Sequence, residues 1–194
     1  MARSYKIKPD QLEEVHIFVD TRNGAFNVLH DIDLYKRIVG DSDERVRLFC
    51  FDESLYPDGL PEGIYKETAR FAPTSFAVSE EIDNESLKYE NDDSGTIRID
   101  MTKRTNLRIK YLLREWTLSE AEPSLMLRIY KRPDGRAQLD NESIALVNNE
   151  VHPKLIKGFM EAYELNQRLA FKKVEDEAID AVKEGSGGKI KVKN

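Results

Sequence analysis

A long apolar stripe near the end of the chain constrains its fold more than any other feature. Beyond Pro153, the residues Ile156, Phe159, Met160, Tyr163, Ala170, Val174, Ala178 and Ala181 share one face of a helix of 3.6-residue period. Proline suits the first helical turn, where its missing N–H costs nothing. The predicted helix runs from Pro153 to position 184, with the polar pair Asn166-Gln167 interrupting the stripe and Gly185-Ser186-Gly187-Gly188 ending it. Its two halves differ. The first carries Ile156, Phe159, Met160 and Tyr163, each worth about 1.5–3 kcal/mol when buried. The second, residues 172–184, is highly charged and offers only Val174, Ala178, Ile179, Ala181 and Val182. A seam that thin either folds back on the chain's own sheet or packs on a partner. Lys172, Val174, Ala178, Ile179 and Val182 are the candidate partner-binding residues.

Upstream the period changes to that of strands. Val15-His16-Ile17-Phe18-Val19 is short, β-branched and aromatic, and Asn23-Gly24 separates it from Ala25-Phe26-Asn27-Val28-Leu29-His30. Asn-Gly between two apolar runs predicts a β-hairpin, because both residues tolerate the positive φ of a type I′ turn. Residues 33–39 read as one or two helical turns closed by Gly40, and residues 46–51 as a third strand. The prolines and glycines of residues 56–63 make a loop. Ser75-Phe76-Ala77-Val78 reads as a further strand. Residues 80–93, which hold seven carboxylates against the single Lys88, read as a mobile acidic surface loop.

Thr96-Ile97-Arg98-Ile99-Asp100-Met101 alternates as a half-buried strand does. Ile109, Leu112, Leu113 and Trp116 then fall at i, i+3, i+4 and i+7, predicting a helix over residues 106–116 capped by Thr105 or Asn106. Leu125-Met126-Leu127-Arg128-Ile129-Tyr130 reads as a strand that turns at Pro133-Asp134-Gly135 into Ala137-Gln138-Leu139, a second hairpin. Asp140 or Asn141 caps a short helix over residues 142–148. The whole reads as an α+β fold: an N-terminal β-hairpin and small antiparallel sheet with a helical C-terminal half. It forms a single domain over residues 1–184, followed by a flexible basic tail over residues 185–194.

A chain of 194 residues can bury a core without disulfides or a structural metal. Cys50 is the only cysteine, which excludes an intrachain disulfide; its apolar neighbours predict a buried, inert thiol. The net charge of −6 repels nucleic acid, so such binding would need a local basic patch. The first residues carry no apolar core of a signal peptide, and no run is long enough to span a bilayer. The expected location is therefore cytoplasmic, with no membrane partner.

Candidate chemistry is sparse. His16 and His30 are predicted to face each other across the first hairpin, but a zinc site needs a third and fourth ligand that the spacing does not supply. They read as core or edge histidines, and His152 as a loop residue before Pro153. Asp41-Ser42-Asp43-Glu44 lacks the following glycine and distal glutamate of a calcium loop and reads as solvated loop acids. Neither a glycine-rich phosphate loop nor a nucleophile elbow occurs. The chain thus has no candidate catalytic residue, metal ligand set or cofactor site, and it is read as not an enzyme. Lys103, Arg104, Arg108, Lys110 and Arg114 lie opposite the Ile109/Trp116 stripe, as a solvated helix face does. The alternative function they allow is a small nucleic-acid-binding regulator using that face.

Five runs follow one another in the second half of the chain: Leu112-Leu113-Arg114-Glu115-Trp116-Thr117-Leu118, Asp134-Gly135, Leu139-Asp140-Asn141-Glu142-Ser143-Ile144, His152-Pro153-Lys154-Leu155-Ile156 and Tyr163-Glu164-Leu165-Asn166. Through them residues 97–166 resemble the tail assembly chaperones of long-tailed phages. In that family a helix ends in a tryptophan followed by an apolar residue. A glycine turn, a capped short helix and a longer helix ending near an asparagine come next. Residues 120–131 look like an insertion relative to the family, and residues 1–95 lie outside the resemblance. The resemblance implies a non-enzymatic protein of virion assembly in the host cytoplasm. It would bind the tape-measure and tail-tube proteins transiently, or self-associate. A virion structural protein, such as a neck or baseplate adaptor, is the alternative within the same class.

Overall fold

The computed structural model describes residues 11–39, 44–89 and 97–186, the last sixteen as backbone alone. Their organising element is strand β1 (Glu13–Asp20), at the centre of a five-stranded sheet of order β3-β2-β1-β4-β7. Strand β2 (Asn27–Asp31) returns antiparallel to it, with Ile17 opposite His30. On the other side lies β4 (Ile64–Phe71), antiparallel, with Val15 opposite Ala69. Strand β7 (Leu113–Trp116) continues beyond β4, and β3 (Cys50–Phe51) adds two parallel residues at His30 and Asp31. The architecture is α+β, as the sequence predicts.

β1 reads as a nearly unbroken apolar run because one face is buried along its length and the other is covered at Phe18. Val15 and Ile17 point into the main core and Val19 is buried on the same face of the strand, while Phe18 on the reverse face is fully buried with Phe51 and Ile64. The rest of that reverse face is polar: Arg70 reaches Glu14 at 2.9 Å and Glu115 at 3.2 Å. The first hairpin forms where predicted, and Asn23 (φ 59) and Gly24 (φ 71) are left-handed. Its loop is longer than a two-residue turn, because Asp20 and Asn27 are the last paired residues.

Helix α1 (Ile32–Val39) matches the expectation; Gly40 and residues 41–43 lie outside the described residues. The predicted third strand is mostly helix: α2 (Glu44–Phe49) precedes the two residues of β3. The helical path buries Val46 and leaves Leu48 and Phe49 exposed, which no strand facing a core would do. Residues 56–63 are loop, and the Gly63 carbonyl accepts from the Thr21 N–H at 2.8 Å. Cys50 is half-buried, not buried.

Two further expectations fail together. Ser75 is the N-cap of helix α3 (Phe76–Ser86), not a strand residue, and accepts from the Val78 N–H. The acidic stretch is therefore helix up to Ser86 and strand β5 (Leu87–Tyr89) after it, with residues 90–93 outside the described residues. Like-charge repulsion does not open it because cations arrive from elsewhere. Glu81 receives Arg136 at 2.8 Å and also Arg132, Asp83 receives Arg104 at 2.7 Å, and the Tyr111 hydroxyl lies 2.8 and 2.9 Å from Glu81 and Glu85.

Strand β6 (Ile97–Ile99) pairs with β5, yet Ile97 and Ile99 are 53% and 46% exposed, so its alternation does not mark a core face. Helix α4 (Met101–Leu112) starts earlier than predicted, because Asp100 caps it by accepting from the Lys103 N–H at 2.9 Å. It also ends earlier. Ile109, Leu112, Leu113 and Trp116 are all buried, but the last two from strand β7. Phe71 faces Leu113, Arg70 faces Glu115 and Ala69 faces Trp116, which leaves Arg114 as the extra residue of a bulge. The bulge returns Leu113 and Trp116 to one face at a spacing of three, and so imitates a helix in the sequence.

A short helix α5 (Leu118–Ala121) and a 3-10 turn (Pro123–Leu125) come next, and the strand predicted from Leu125 begins only at Ile129, as β8 (Ile129–Lys131). β8 pairs with β9 (Ala137–Leu139) across a turn with Gly135 at φ 84, the second hairpin. Asp140 caps α6 (Asn141–Asn149), accepting from the Ser143 N–H at 2.7 Å. The last helix, α7 (Pro153–Ser186), crosses the core face of the sheet. Among the described residues no helix is long and apolar enough to cross a membrane.

Candidate functional site

Helix α7 is the element on which the site is built. Tyr163, fully buried, stacks on Phe71 with ring centres 4.7 Å apart, and its hydroxyl lies 2.9 Å from Thr74 Oγ1. Burial pushes the Tyr163 phenol up. Phe159, Met160 and Ala162 complete the seam. At Gly158 the helix comes closest to the sheet: a Cβ there would sit 2.4 Å from Val28 Cγ1 and 3.5 Å from Ile17 Cδ1. Only glycine permits that approach. Lys154 donates to the Phe26 carbonyl at 2.7 Å and His152 stacks on Phe26 at 4.2 Å, so α7 enters beside the start of β2. It passes the start of β1, where Asn166 donates to the Glu14 carbonyl at 3.3 Å and Gln167 bonds Glu13.

Those are the last described bonds from α7 to the sheet. The helical backbone continues to Ser186, nineteen residues past Gln167 and so roughly 28 Å at 1.5 Å per residue. Lys172, Val174, Ala178, Ile179 and Val182 all lie on that extension; their side chains are outside the described residues. Ala170, read as part of the buried stripe, is exposed. The sequence marks the change at Asn166-Gln167, where the two polar side chains reach back to the start of the central strand.

A second feature was invisible in the sequence. Between β2, the α2–β3 segment and α7 lies a cleft of about 990 Å³. His30 stands at its base, with Nε2 3.2 Å from Glu161 Oε2 and its ring stacked on Tyr35 at 6.1 Å. That bond, ahead of the opposing effect of burial, holds the Glu161 carboxyl below its ordinary range. The histidines do not face each other. His30 lies opposite Ile17, so His16 points to the reverse face, where its Nε2 is 2.8 Å from Asp31 Oδ2. The His16 bond, with help from the Leu34 N–H, outweighs burial and lowers the Asp31 carboxyl to about 2. Among the described residues no group of three or more His, Cys, Asp or Glu is placed to hold a metal.

The basic cluster is largely committed within the fold. Arg104 pairs with Asp83, Arg108 with Glu164, and Lys110 lies 4.8 Å over the Tyr111 ring. Arg114 is half-buried and donates to the carbonyls of Leu113, Tyr111 and Ala137 at 2.8–2.9 Å. Burial pushes its guanidinium down. Only Lys103 of the five stands as the solvated face predicts. Comparison with protein-family models, curated proteins and solved structures gives no match to this chain.

Proposed function

We propose that this chain is a non-enzymatic interaction protein of phage tail assembly. It acts as a chaperone that holds a helical tail protein, the tape measure or the tail tube, or a second copy of itself, through the end of α7. The observation that carries the reading is the nineteen-residue continuation of α7 beyond Gln167, the last of its residues with a described bond to the sheet. A helix that long is marginal by itself in water and gains most of its stability from packing. The extension keeps Val174, Ala178, Ile179 and Val182 on a charged background, which suits a reversible partner better than a core. The order of glycine turn, capped α6 and long α7 supports the resemblance to the tail chaperones. Strand β7, which holds Trp116 where the family has a helix end, departs from it.

The test is a chain ended after Gln167. It is expected to keep a cooperative melt, since Phe159, Met160, Ala162 and Tyr163 all remain, and to lose capture of tail proteins from an infected-cell extract and self-association alike. A truncated chain that still captures them moves the interface off α7; one that fails to fold makes the extension part of the core.

A further inference from the structure

We propose that the cleft between β2 and α7 is a second docking site, and that it takes an acidic, extended segment of a partner protein carrying bulky apolar side chains. The proposal stands apart from the α7 extension. Three observations carry it.

The first is an open strand edge. β3 covers β2 only at His30 and Asp31, so Asn27, Val28 and Leu29 have no strand beside their outer edge among the described residues, and all three line the cleft. An edge of that kind accepts an added strand through its backbone N–H and C=O groups. The second is the rim. Leu48 and Phe49 are 69% and 50% exposed where α2 overhangs the cleft, an apolar surface at the mouth of a groove that water alone would not favour. Alternate side chains of an added strand would meet it.

The third observation is charge, and it decides what the occupant must be. Among the described residues every carboxylate lining the cleft is already bound within the fold: Asp20 to Arg22, Glu161 to His30 and Lys157, Glu164 to Arg108. Two cations in the lining, Lys154 and Arg168, have no carboxylate partner among the described residues, and both are exposed. They stand fourteen residues apart on α7, roughly 21 Å, which is the length of about six extended residues. In a chain of net charge −6 this cationic surplus is local. It complements carboxylates at both ends of a short extended segment and repels a basic one.

The experiment uses the full chain, immobilised and panned against a random display library of short peptides. The consensus peptide is then synthesised with a fluorophore and titrated by anisotropy. The expected consensus alternates Asp or Glu with Leu, Ile or Phe, and its affinity falls as salt rises. Lys154→Glu combined with Arg168→Glu should weaken binding about tenfold or more, and Phe49→Ser several-fold. All three sites are exposed; because Lys154→Glu also gives up the bond to the Phe26 carbonyl, Arg168→Glu alone is measured beside the double variant and should weaken binding several-fold while melting like the wild type. A basic or apolar-only consensus, no enrichment, or affinities within about twofold in both variants overturns the proposal. So does equal binding of a Glu-Ser peptide that inorganic phosphate displaces, which would make the cleft a small-anion site.

Discussion

Gly158→Ala is expected to destabilise the protein although alanine is the better helix former. Replacing glycine by alanine inside an exposed helix gains about 1 kcal/mol. Here the new methyl would lie 2.4 Å from Val28 Cγ1, well inside van der Waals contact. Val28 is β-branched, sits on a paired strand and has one strongly preferred rotamer, so it cannot swing aside cheaply. A contact as short as 2.4 Å to a side chain that cannot move belongs at the upper end of overpacking costs, about 2–3 kcal/mol, so the net loss should be about 1–2 kcal/mol once the helical gain of about 1 kcal/mol is subtracted. The double substitution Gly158→Ala with Val28→Ala removes the clash and lets the new methyl occupy the vacated space. It should therefore be more stable than the sum of the two single losses by about 1 kcal/mol or more. Urea melts of the four proteins, with m-values compared, measure the cycle. A Gly158→Ala protein at least as stable as wild type, or a strictly additive double, would refute the close packing of α7 on β2.

Trp116→Ala should cost about 3–5 kcal/mol, since it empties a core site and orphans the Leu125 carbonyl that Trp116 Nε1 reaches at 2.7 Å. Arg114→Ala should cost about 1.5–3 kcal/mol, because three carbonyls lose a charged donor; a surface arginine would cost no more than about 0.5 kcal/mol, and that result in a denaturant melt would sink the bulge assignment. Asp31 sets an acid limb of stability. Its folded carboxyl titrates at about 2 against 3.8 ordinarily, so its contribution, about 2 kcal/mol, is full above the ordinary value and disappears as pH falls toward 2. His16→Ala should flatten the fall in stability between about pH 4 and pH 2; an unchanged slope would mean that His16 does not hold Asp31 in place.

What the amino-acid order determined by itself was local. Asn23-Gly24 made the hairpin, Asp140 the cap of α6, Asp134-Gly135 the second turn, and the Phe159/Met160/Tyr163 stripe the buried half of α7. In each case the residues that cause the element lie within one or two turns of each other. The tertiary structure decided what depends on partners far along the chain. β4 escaped sequence reading because of its large apolar residues only Ile64 and Phe71, at its two ends, are buried, and its place between β1 and β7 is set by pairing across 42 residues or more. The acidic run became helix α3 because Arg104, Arg132 and Arg136 meet Glu81 and Asp83 only after folding. Arg114 bulged out of β7 and gave two strand residues a helical spacing, a signal that no local rule separates from a true helix. The cleft is the extreme case: β2, α2 and α7 contribute its walls from separate stretches of the chain, and which of its charges are spent follows from contacts such as Glu164 with Arg108, 56 residues apart. Propensity and period act over a few residues, whereas pairing, burial and charge balance act through space, so the locally coded elements were legible in advance, and the elements set by distant partners, with the surface they enclose, were not.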